Sequence, residues 1–254
     1  MSAASVPTPS ELPARMSHGA RILNTFISPA KTFGDLKNGA GWWAPWLLIS
    51  VVALMFVFTM GQEVGFEQIT NNEIARSSRA EQFEKLPPDQ KAKQLAFSTN
   101  LTRVISYANP AVNLLVFVII AGVLMGTFSV AAGAAVPFAR SLAIVIYASL
   151  PAVISALLGI VSLVAGGMSG SLDKDAFNVR NPVATNPAYF MDPTGNKFLY
   201  GMTSALDIFV IWSIILMGIG FSSNSKLKRG TAIGIVVAWY LVYKLAGATL
   251  ASIF

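Results

Sequence analysis

The sequence of 254 residues contains no cysteine and a single histidine, His18. Without cysteine the chain has no means of forming a disulfide, a thiolate nucleophile or a cysteine-ligated metal site. One histidine in a polar N-terminal stretch excludes Ser-His catalysis within a membrane, HExxH zinc sites and histidine-ligated haem. No GxxxxGK[ST] or GxGxxG motif precedes a helix-like segment, so nucleotide binding has no support. We therefore expect no cofactor, no metal and no catalytic residue.

Charged residues are also scarce. They make up 12% of the chain, and hydrophobic residues make up 54%, whereas about 25% of the residues of an ordinary soluble domain are charged. The apolar residues fall into long blocks, and a membrane-spanning helix needs roughly 20 apolar residues. The sequence predicts an all-α membrane protein with a bundle of five transmembrane helices. The spans are expected at about 42–60, 111–133, 141–166, 201–221 and 230–253.

The net charge of +6 does not indicate nucleic-acid binding, because the basic residues lie between the apolar blocks rather than on a solvated face. Basic residues in short segments beside membrane spans mark the cytoplasmic side. These segments would all lie on the side of the N-terminus if there are five spans, which predicts a cytoplasmic N-terminus and an external C-terminus. The basic residues are Arg15, Arg21, Lys31, Lys37, Arg140, Lys226, Lys228 and Arg229.

The N-terminal region divides into two parts. Residues 1–14 are rich in Ser, Pro and Ala, which predicts a disordered tail. Residues 15–41 form an amphipathic segment, in which Ser28-Pro29 has the pattern of a helix N-cap followed by proline at the first helical position. Its apolar residues, among them Phe33 and Leu36, favour a helix on the membrane surface. The alternative is a helix that packs on the protein's own loops.

The five spans and their connections form one membrane domain, residues 42–254, with two long external loops. The loop at 61–110 is predicted to contain amphipathic helices interrupted at Pro87-Pro88, and it would form a small helical cap. The loop at 166–200 is rich in Gly, Asn and Pro and has turn signals at Asn181-Pro182 and Asn186-Pro187. It is expected to be irregular.

Two charged residues lie within the predicted spans, Asp207 in the fourth and Lys244 in the fifth. A charge near the bilayer centre costs about 2.5–3.5 kcal/mol. The fourth and fifth spans form a tight hairpin in which the two residues fall at similar depth, so an ion pair between them is a reasonable expectation. The alternatives are that Lys244 extends to the external surface while Asp207 is protonated or capped, or that both residues serve transport.

Small residues and one proline mark further positions in the spans. Gly122 and Gly126, and likewise Gly230 and Gly234, form GxxxG steps that allow close helix approach, either within the chain or in a dimer. Pro151 is expected to kink the third span because it removes a backbone hydrogen bond. The Tyr147 hydroxyl would then satisfy a freed carbonyl or line a lateral groove.

Several short motifs, in order and at characteristic spacing over residues 22–254, resemble the Yip-domain family, the Ypt/Rab-interacting membrane proteins and their prokaryotic relatives. They are Phe26-Ile27-Ser28-Pro29-Ala30-Lys31-Thr32-Phe33, Trp43-Ala44-Pro45-Trp46, Tyr147-Ala148-Ser149-Leu150-Pro151, and Leu206-Asp207-Ile208-Phe209-Val210-Ile211-Trp212 followed by Gly218-Ile219-Gly220. The resemblance implies five spans with a cytoplasmic N-terminus. Eukaryotic relatives are non-enzymatic factors that bind prenylated small GTPases.

The short N-terminal tail and the long first external loop depart from the eukaryotic pattern and favour the prokaryotic branch of the family. This placement implies a multi-pass protein of the bacterial inner membrane, for which small-GTPase binding is not expected. The sequence thus predicts a non-enzymatic scaffold or adaptor, whose partners are the lipid bilayer and other transmembrane helices in a homo- or hetero-oligomer. The alternative is a small transporter or channel component that uses Asp207, Lys244 and Tyr147.

Overall fold

A computed structural model describes residues 15–133 and 136–253, and throughout these ranges the chain forms helices joined by turns and loops, without a β-strand. The predicted disordered tail, residues 1–14, lies outside the described residues. Twelve α-helices occur in the described ranges, and we number them in chain order. They are α1 (His18–Ile27), α2 (Pro29–Asp35), α3 (Trp43–Glu63), α4 (Phe66–Arg76), α5 (Ala80–Glu84), α6 (Pro88–Tyr107), α7 (Asn109–Ala132), α8 (Phe138–Ala148), α9 (Pro151–Ser169), α10 (Lys197–Thr203), α11 (Ile208–Asn224) and α12 (Arg229–Ile253).

Four helical segments in the described part of the chain are long and apolar enough to cross a membrane. A fifth crossing requires that Lys197–Leu206 and Ile208–Asn224 count as one span, and these two pieces are bent by 58° at Asp207. The all-α membrane bundle is therefore confirmed, and the fourth predicted span is a broken helix. The four segments are Trp43–Glu63, Asn109–Ala131, Phe138–Ser169 and Arg229–Leu250.

The third span is interrupted just before Pro151, where its sequence predicts a kink. Helix α8 ends at Ala148, and Pro151 occupies the first turn of α9, where a missing backbone N–H costs no helical hydrogen bond. The Ser149 hydroxyl donates to the Val145 carbonyl at 2.8 Å at the end of α8. Pro151 therefore begins a new helix rather than kinking a continuous one.

Helix α8 forms the centre of the bundle. Every residue from Ser141 to Ala148 is buried, and helices α3, α7 and α11 pack around it. The rings of Phe128 on α7 and Phe221 on α11 stack with their centroids 4.4 Å apart. The apolar side chains of α8 account for this position, because burial of each large aliphatic side chain contributes about 1.5–3 kcal/mol.

The two N-terminal helices pack against one end of this bundle, which we call the tail end. Phe33 and Leu36 are 0% and 1% exposed, and the Asn224 side chain donates to the Phe33 carbonyl at 2.9 Å. Phe33 and Leu36 therefore pack on the bundle itself, whereas the placement of the whole segment on the membrane surface stays a prediction. On α1, however, Leu23 and Ile27 remain 64% and 81% exposed.

The opposite end of the bundle, which we call the cap end, is formed by the two long loops. Asn72 on α4 donates to the carbonyls of Lys174 and Phe177 at 2.7 and 3.1 Å. Arg76 on the same helix donates to the carbonyls of Phe177 and Ala176, both at 2.8 Å. The loop at 61–110 is helical, as predicted, and α4 provides the donors that hold the second, irregular loop in place.

The four predicted packing glycines do not bring helices together within the described part of the chain. A Cβ built on Gly122, Gly126, Gly230 or Gly234 would meet no atom within 4 Å. The expectation of close packing within the chain is therefore wrong at these positions, and a role in dimerisation remains a prediction. The close approach of α11 and α12 occurs instead at Gly218, where a Cβ would lie 2.6 Å from the Ile233 Cα.

Candidate functional site at the helix break

Asp207 lies at the break between α10 and α11 and forms the N-cap of α11. Its Oδ1 accepts hydrogen bonds from the backbone N–H groups of Phe209 and Val210 at 2.9 and 3.1 Å. These N–H groups have no partner within the helix, and a carboxylate also interacts favourably with the positive end of the helix dipole. The predicted placement of Asp207 within a continuous fourth helix is therefore wrong, since its carboxylate caps the second half of a broken one.

The second carboxylate oxygen of Asp207 is bound by the loop that precedes the break. Its Oδ2 accepts from the Thr185 hydroxyl and, at 3.5 Å, from the Asn186 side-chain amide. The backbone N–H of Ile208 also donates to the Thr185 carbonyl at 3.1 Å. The carboxylate therefore joins the cap-end loop to the start of α11.

A network of side-chain amides extends from Asp207 toward Tyr200. Asn181 and Asn186 exchange a reciprocal pair of hydrogen bonds, at 3.2 and 2.6 Å, and are only 7% and 9% exposed. The Tyr200 hydroxyl accepts from Asn178 at 2.9 Å and from Asn181 at 3.4 Å. Buried amides require such partners, because an unpaired buried polar group costs about 1–3 kcal/mol. The network therefore fixes the irregular loop against α10.

Lys244 lies across from Asp207 on α12, but the two residues form no ion pair. The ion pairs within the described ranges join Arg21 to Asp35, Lys85 to Glu81, Lys91 to Glu84 and Arg180 to Glu73. The Lys244 Nζ lies 5.8 Å from the centre of the Tyr240 ring. The expected Asp207–Lys244 pair is thus absent, since the carboxylate is already occupied by the helix cap and the loop.

Asp207 and Lys244 nevertheless line the same cleft at the cap end. It has a volume of about 710 Å³ and lies between α4, the irregular loop, α10 and α12. The Tyr240 hydroxyl donates to the Ala205 carbonyl at 2.9 Å and so fixes α12 beside the break. A second cavity of about 860 Å³ shares Asn178, Asn181 and Tyr200 with the first, so the amide network separates the two spaces.

Tyr147, the third residue of the predicted polar site, lies away from this cleft. It is fully buried, and its hydroxyl is 3.4 Å from the Nδ1 of His18 on α1. The predicted role for its hydroxyl, as a partner for a freed carbonyl or a groove lining, is replaced by this contact at the tail end. Pro151 likewise does not line the cleft. The structure thus brings together two of the four predicted polar-site residues.

His18 is held in a basic, partly buried environment. Its ring packs edge-to-face against Trp43, with centroids 5.0 Å apart. Burial lowers the pKa of His18 below its ordinary value of 6.5, and the positive charges of Arg21 and Arg15 lower it further. The imidazole is consequently neutral at pH 7, as its contact with the Tyr147 hydroxyl allows.

A model of the Yip1 domain matches residues 23–250, nearly the whole of the chain. The chain belongs to the Yip1 domain family. This is a non-enzymatic membrane family, and the membrane-capable helices agree with membership. No curated protein matches the chain significantly, and no solved structure does. In the part of this Yip1 domain protein that the structure describes, no group of three or more His, Asp or Glu residues is arranged to hold a metal ion.

Sequence reasoning missed the residues that surround Asp207. Thr185, Asn186 and Asn181 are distant from Asp207 along the chain, and only folding of the loop brings them together. The Asn-Pro steps at 181 and 186 were a usable signal, because asparagine before proline favours a fixed turn in which the amide bonds locally. As turn markers alone, these steps do not identify the partners of Asp207.

Proposed function

We propose that this Yip1 domain protein is a non-enzymatic membrane scaffold or adaptor that works through its transmembrane surfaces. The proposal rests on one observation, the open GxxxG steps on α7 and α12. At Gly122, Gly126, Gly230 and Gly234 an added Cβ would meet no atom of the described residues within 4 Å. Small residues at this spacing are the usual contact points between membrane helices, and the described helices leave these four free for a partner.

The partner of these surfaces is a transmembrane helix of a second copy or of another membrane protein. Backbones that meet at glycine gain van der Waals contacts that larger side chains would prevent. Trp239 on α12 donates to Thr127 on α7 at 3.0 Å, so these two helices already contact each other. We therefore infer that they act as one recognition surface.

The experiment is intramembrane crosslinking followed by mass spectrometry on the full-length protein. Replacing Gly122 and Gly126 by Leu is expected to abolish the recovered partner or self-dimer. The matched control replaces Val116 and Val123 by Leu. The side chains of these two valines lie on the same helix and are 42% and 39% exposed. Equal recovery with both variants would overturn the role of the glycine step.

We also infer that the protein lies in the inner membrane of a bacterium, which the long first loop favours. The basic residues beside the tail end favour an orientation with the tail end in the cytoplasm and the cap end outside. Because the sequence lacks cysteine, single cysteines report topology without background. The Asp192→Cys variant should react with a membrane-impermeant maleimide in intact cells. The Lys31→Cys variant should react only after the cells are lysed.

The cleft supports a second candidate, a small transporter or channel component. Its support is that Asp207 and Lys244 line one cleft, since intramembrane charges often mark substrate paths. Tyr147 has no part in that cleft, which favours the adaptor. Purified protein reconstituted in vesicles should leave their permeability to ions and small solutes unchanged. A flux that Lys244→Met removes would establish the transporter instead.

A further inference from the structure

The cap-end cleft contains two lysines without an ion-pair partner among the described residues. Four basic residues line the cleft, Arg76, Arg180, Lys197 and Lys244, against two acids, Glu73 and Asp207. Arg76 donates to two loop carbonyls, and Arg180 lies 3.3 Å from Glu73. None of the ion pairs in the described ranges includes Lys197 or Lys244. The cleft thus carries an excess of positive charge.

The acids of the cleft do not offset this charge by direct pairing with the lysines. Glu73 is engaged with Arg180. The Asp207 carboxylate receives four hydrogen bonds, two from the backbone of α11 and two from Thr185 and Asn186. Its negative charge is therefore shared among fixed donors. Both lysine ammonium groups are left available to an anion.

The cleft lies beside the apolar surface of α12. Tyr243 lines it and is 70% exposed, and the neighbouring residues Leu241 and Leu245 are 44% and 45% exposed. Lys244 lies six residues before Leu250, the end of the apolar span, which is about 9 Å along the helix axis at 1.5 Å per residue. An ammonium group on a flexible stem at this distance reaches the headgroup region of a bilayer.

The two lysines come from helices that contact each other. A Cβ on Gly201 of α10 would lie 3.2 Å from the Ala248 Cβ of α12. Lys197 precedes Gly201 by four residues, and Lys244 precedes Ala248 by four, so each lysine lies about one turn from this contact on the same helix face. The contact therefore holds both cations at one cleft.

We propose that this cleft binds the phosphate group of an anionic phospholipid, with Lys244 as the main contact and Lys197 as a second one. Basic pockets between membrane helices are suited to such headgroups, and each lysine near the surface contributes an attraction that falls off within a Debye length. The acyl chains would lie along the exposed apolar face of α12. The adaptor role is not required for this site.

The test is native mass spectrometry of the full-length protein, in nanodiscs of phosphatidylcholine with a minor fraction of phosphatidylglycerol. Wild type is expected to retain phosphatidylglycerol in preference to phosphatidylcholine. The double variant Lys197→Gln and Lys244→Gln should weaken that retention by about tenfold or more, as expected for two lost lysine contacts. The matched control removes the same charge from exposed positions at the tail end, Lys226→Gln and Lys228→Gln.

Two further variants separate a lipid site from a loss of folding. The double variant Lys197→Arg and Lys244→Arg keeps the charge and should preserve retention. Asp207→Asn removes a negative charge from the cleft while keeping a residue that caps helices well, so it should raise retention. A purely structural lysine would not give opposite effects at Lys244 and Asp207.

The source of the phosphate is decided by competition with soluble sn-glycerol 1-phosphate. Weak or absent competition supports a lipid ligand. Equal binding of the soluble phosphate and the lipid would overturn the lipid assignment. The proposal also fails if the cleft variant and the control variant retain phosphatidylglycerol equally. These outcomes leave the crosslinking test of the adaptor role unaffected.

Discussion

The guanidinium of Arg21 lies 2.6 Å from the carboxylate of Asp35, in an ion pair whose two side chains are 0% and 9% exposed. Arg21 also donates to the carbonyls of Gly39 and Asp35 at 2.7 and 3.1 Å. Burial raises the pKa of Asp35, but hydrogen bonds from Arg21 and Asn38 and the Arg21 charge outweigh it, so the pKa lies below its ordinary value of 3.8. This pair holds α1 and α2 together at the tail end.

Removing one partner of this pair should destabilise the tail end. Arg21→Met leaves Asp35 as a buried charge without its partner, which typically costs about 3–5 kcal/mol. Thermal unfolding of the purified protein and proteolysis of the N-terminal region are the measurements. Arg21→Met combined with Asp35→Leu should recover part of the loss, because no unpaired charge is left. If the double variant lost as much stability as the two single variants together, the result would contradict an ion pair between Arg21 and Asp35.

Acidification should loosen the same end through His18. Its pKa in the folded protein lies below the unfolded value of 6.5. Well above pH 6.5 both states are neutral, and stability does not depend on this group. Below it the unfolded chain binds a proton that the folded chain does not, so stability falls as the pH drops from about 6.5 through the folded pKa.

The measurement for His18 is the unfolding temperature between pH 8 and pH 5. Wild type should lose more stability over this window than His18→Asn, which cannot titrate. His18→Asn keeps a side chain able to donate to the Tyr147 hydroxyl, so it is a matched control. The same pH slope in both proteins would show that His18 is not the responsible group.

Asp207 should behave as a helix cap rather than as an ion-pair partner. Asp207→Ala is expected to cost about 0.5–2 kcal/mol, and Asp207→Asn should cost much less because asparagine caps helices nearly as well. The loss from Asp207→Ala should add to that from Lys244→Met, since the two residues form no ion pair. If the double variant lost less stability than the two single variants together, the result would support the ion pair that the sequence predicts.

A comparison of α3 with the fourth span, which breaks at Asp207, shows which features of the fold the sequence alone predicts. The apolar run at Trp43–Glu63 predicts a membrane helix directly, because its length and composition leave few alternatives. The fourth span is also apolar enough to cross a membrane when its two pieces are counted together. It breaks at Asp207, whose carboxylate has partners in a loop about 20 residues earlier. Local patterns therefore locate the helices, whereas the breaks depend on contacts that are distant in the chain.

The glycines illustrate the same limit. A GxxxG pattern indicates that another helix can approach closely, but it does not identify that helix. Gly122 and Gly126 fulfil the pattern and contact no helix of their own chain in the described ranges, whereas Gly218 and Gly220 are separated by only one residue and meet α12 and α8 respectively. Only the arrangement of the helices distinguishes the two cases.

The final prediction compares alanine at these two kinds of glycine. Gly218→Ala would place a Cβ 2.6 Å from the Cα and 2.9 Å from the backbone nitrogen of Ile233. Backbone atoms cannot rotate away as a side chain can, so α11 and α12 must separate, at a cost of about 1–3 kcal/mol. Gly122→Ala meets open space and should stabilise the monomer by up to about 1 kcal/mol, through the higher helix propensity of alanine.

Unfolding of detergent-solubilised monomer measures both variants under one condition. Gly218→Ala should lower the unfolding temperature, and Gly122→Ala should leave it unchanged or raise it. The same Gly122→Ala should weaken crosslinking to a partner in membranes, because its Cβ then enters the contact between helices. If Gly122→Ala destabilised the isolated monomer as much as Gly218→Ala, the α7 glycine step would serve the fold, and the adaptor surface proposed for it would be wrong.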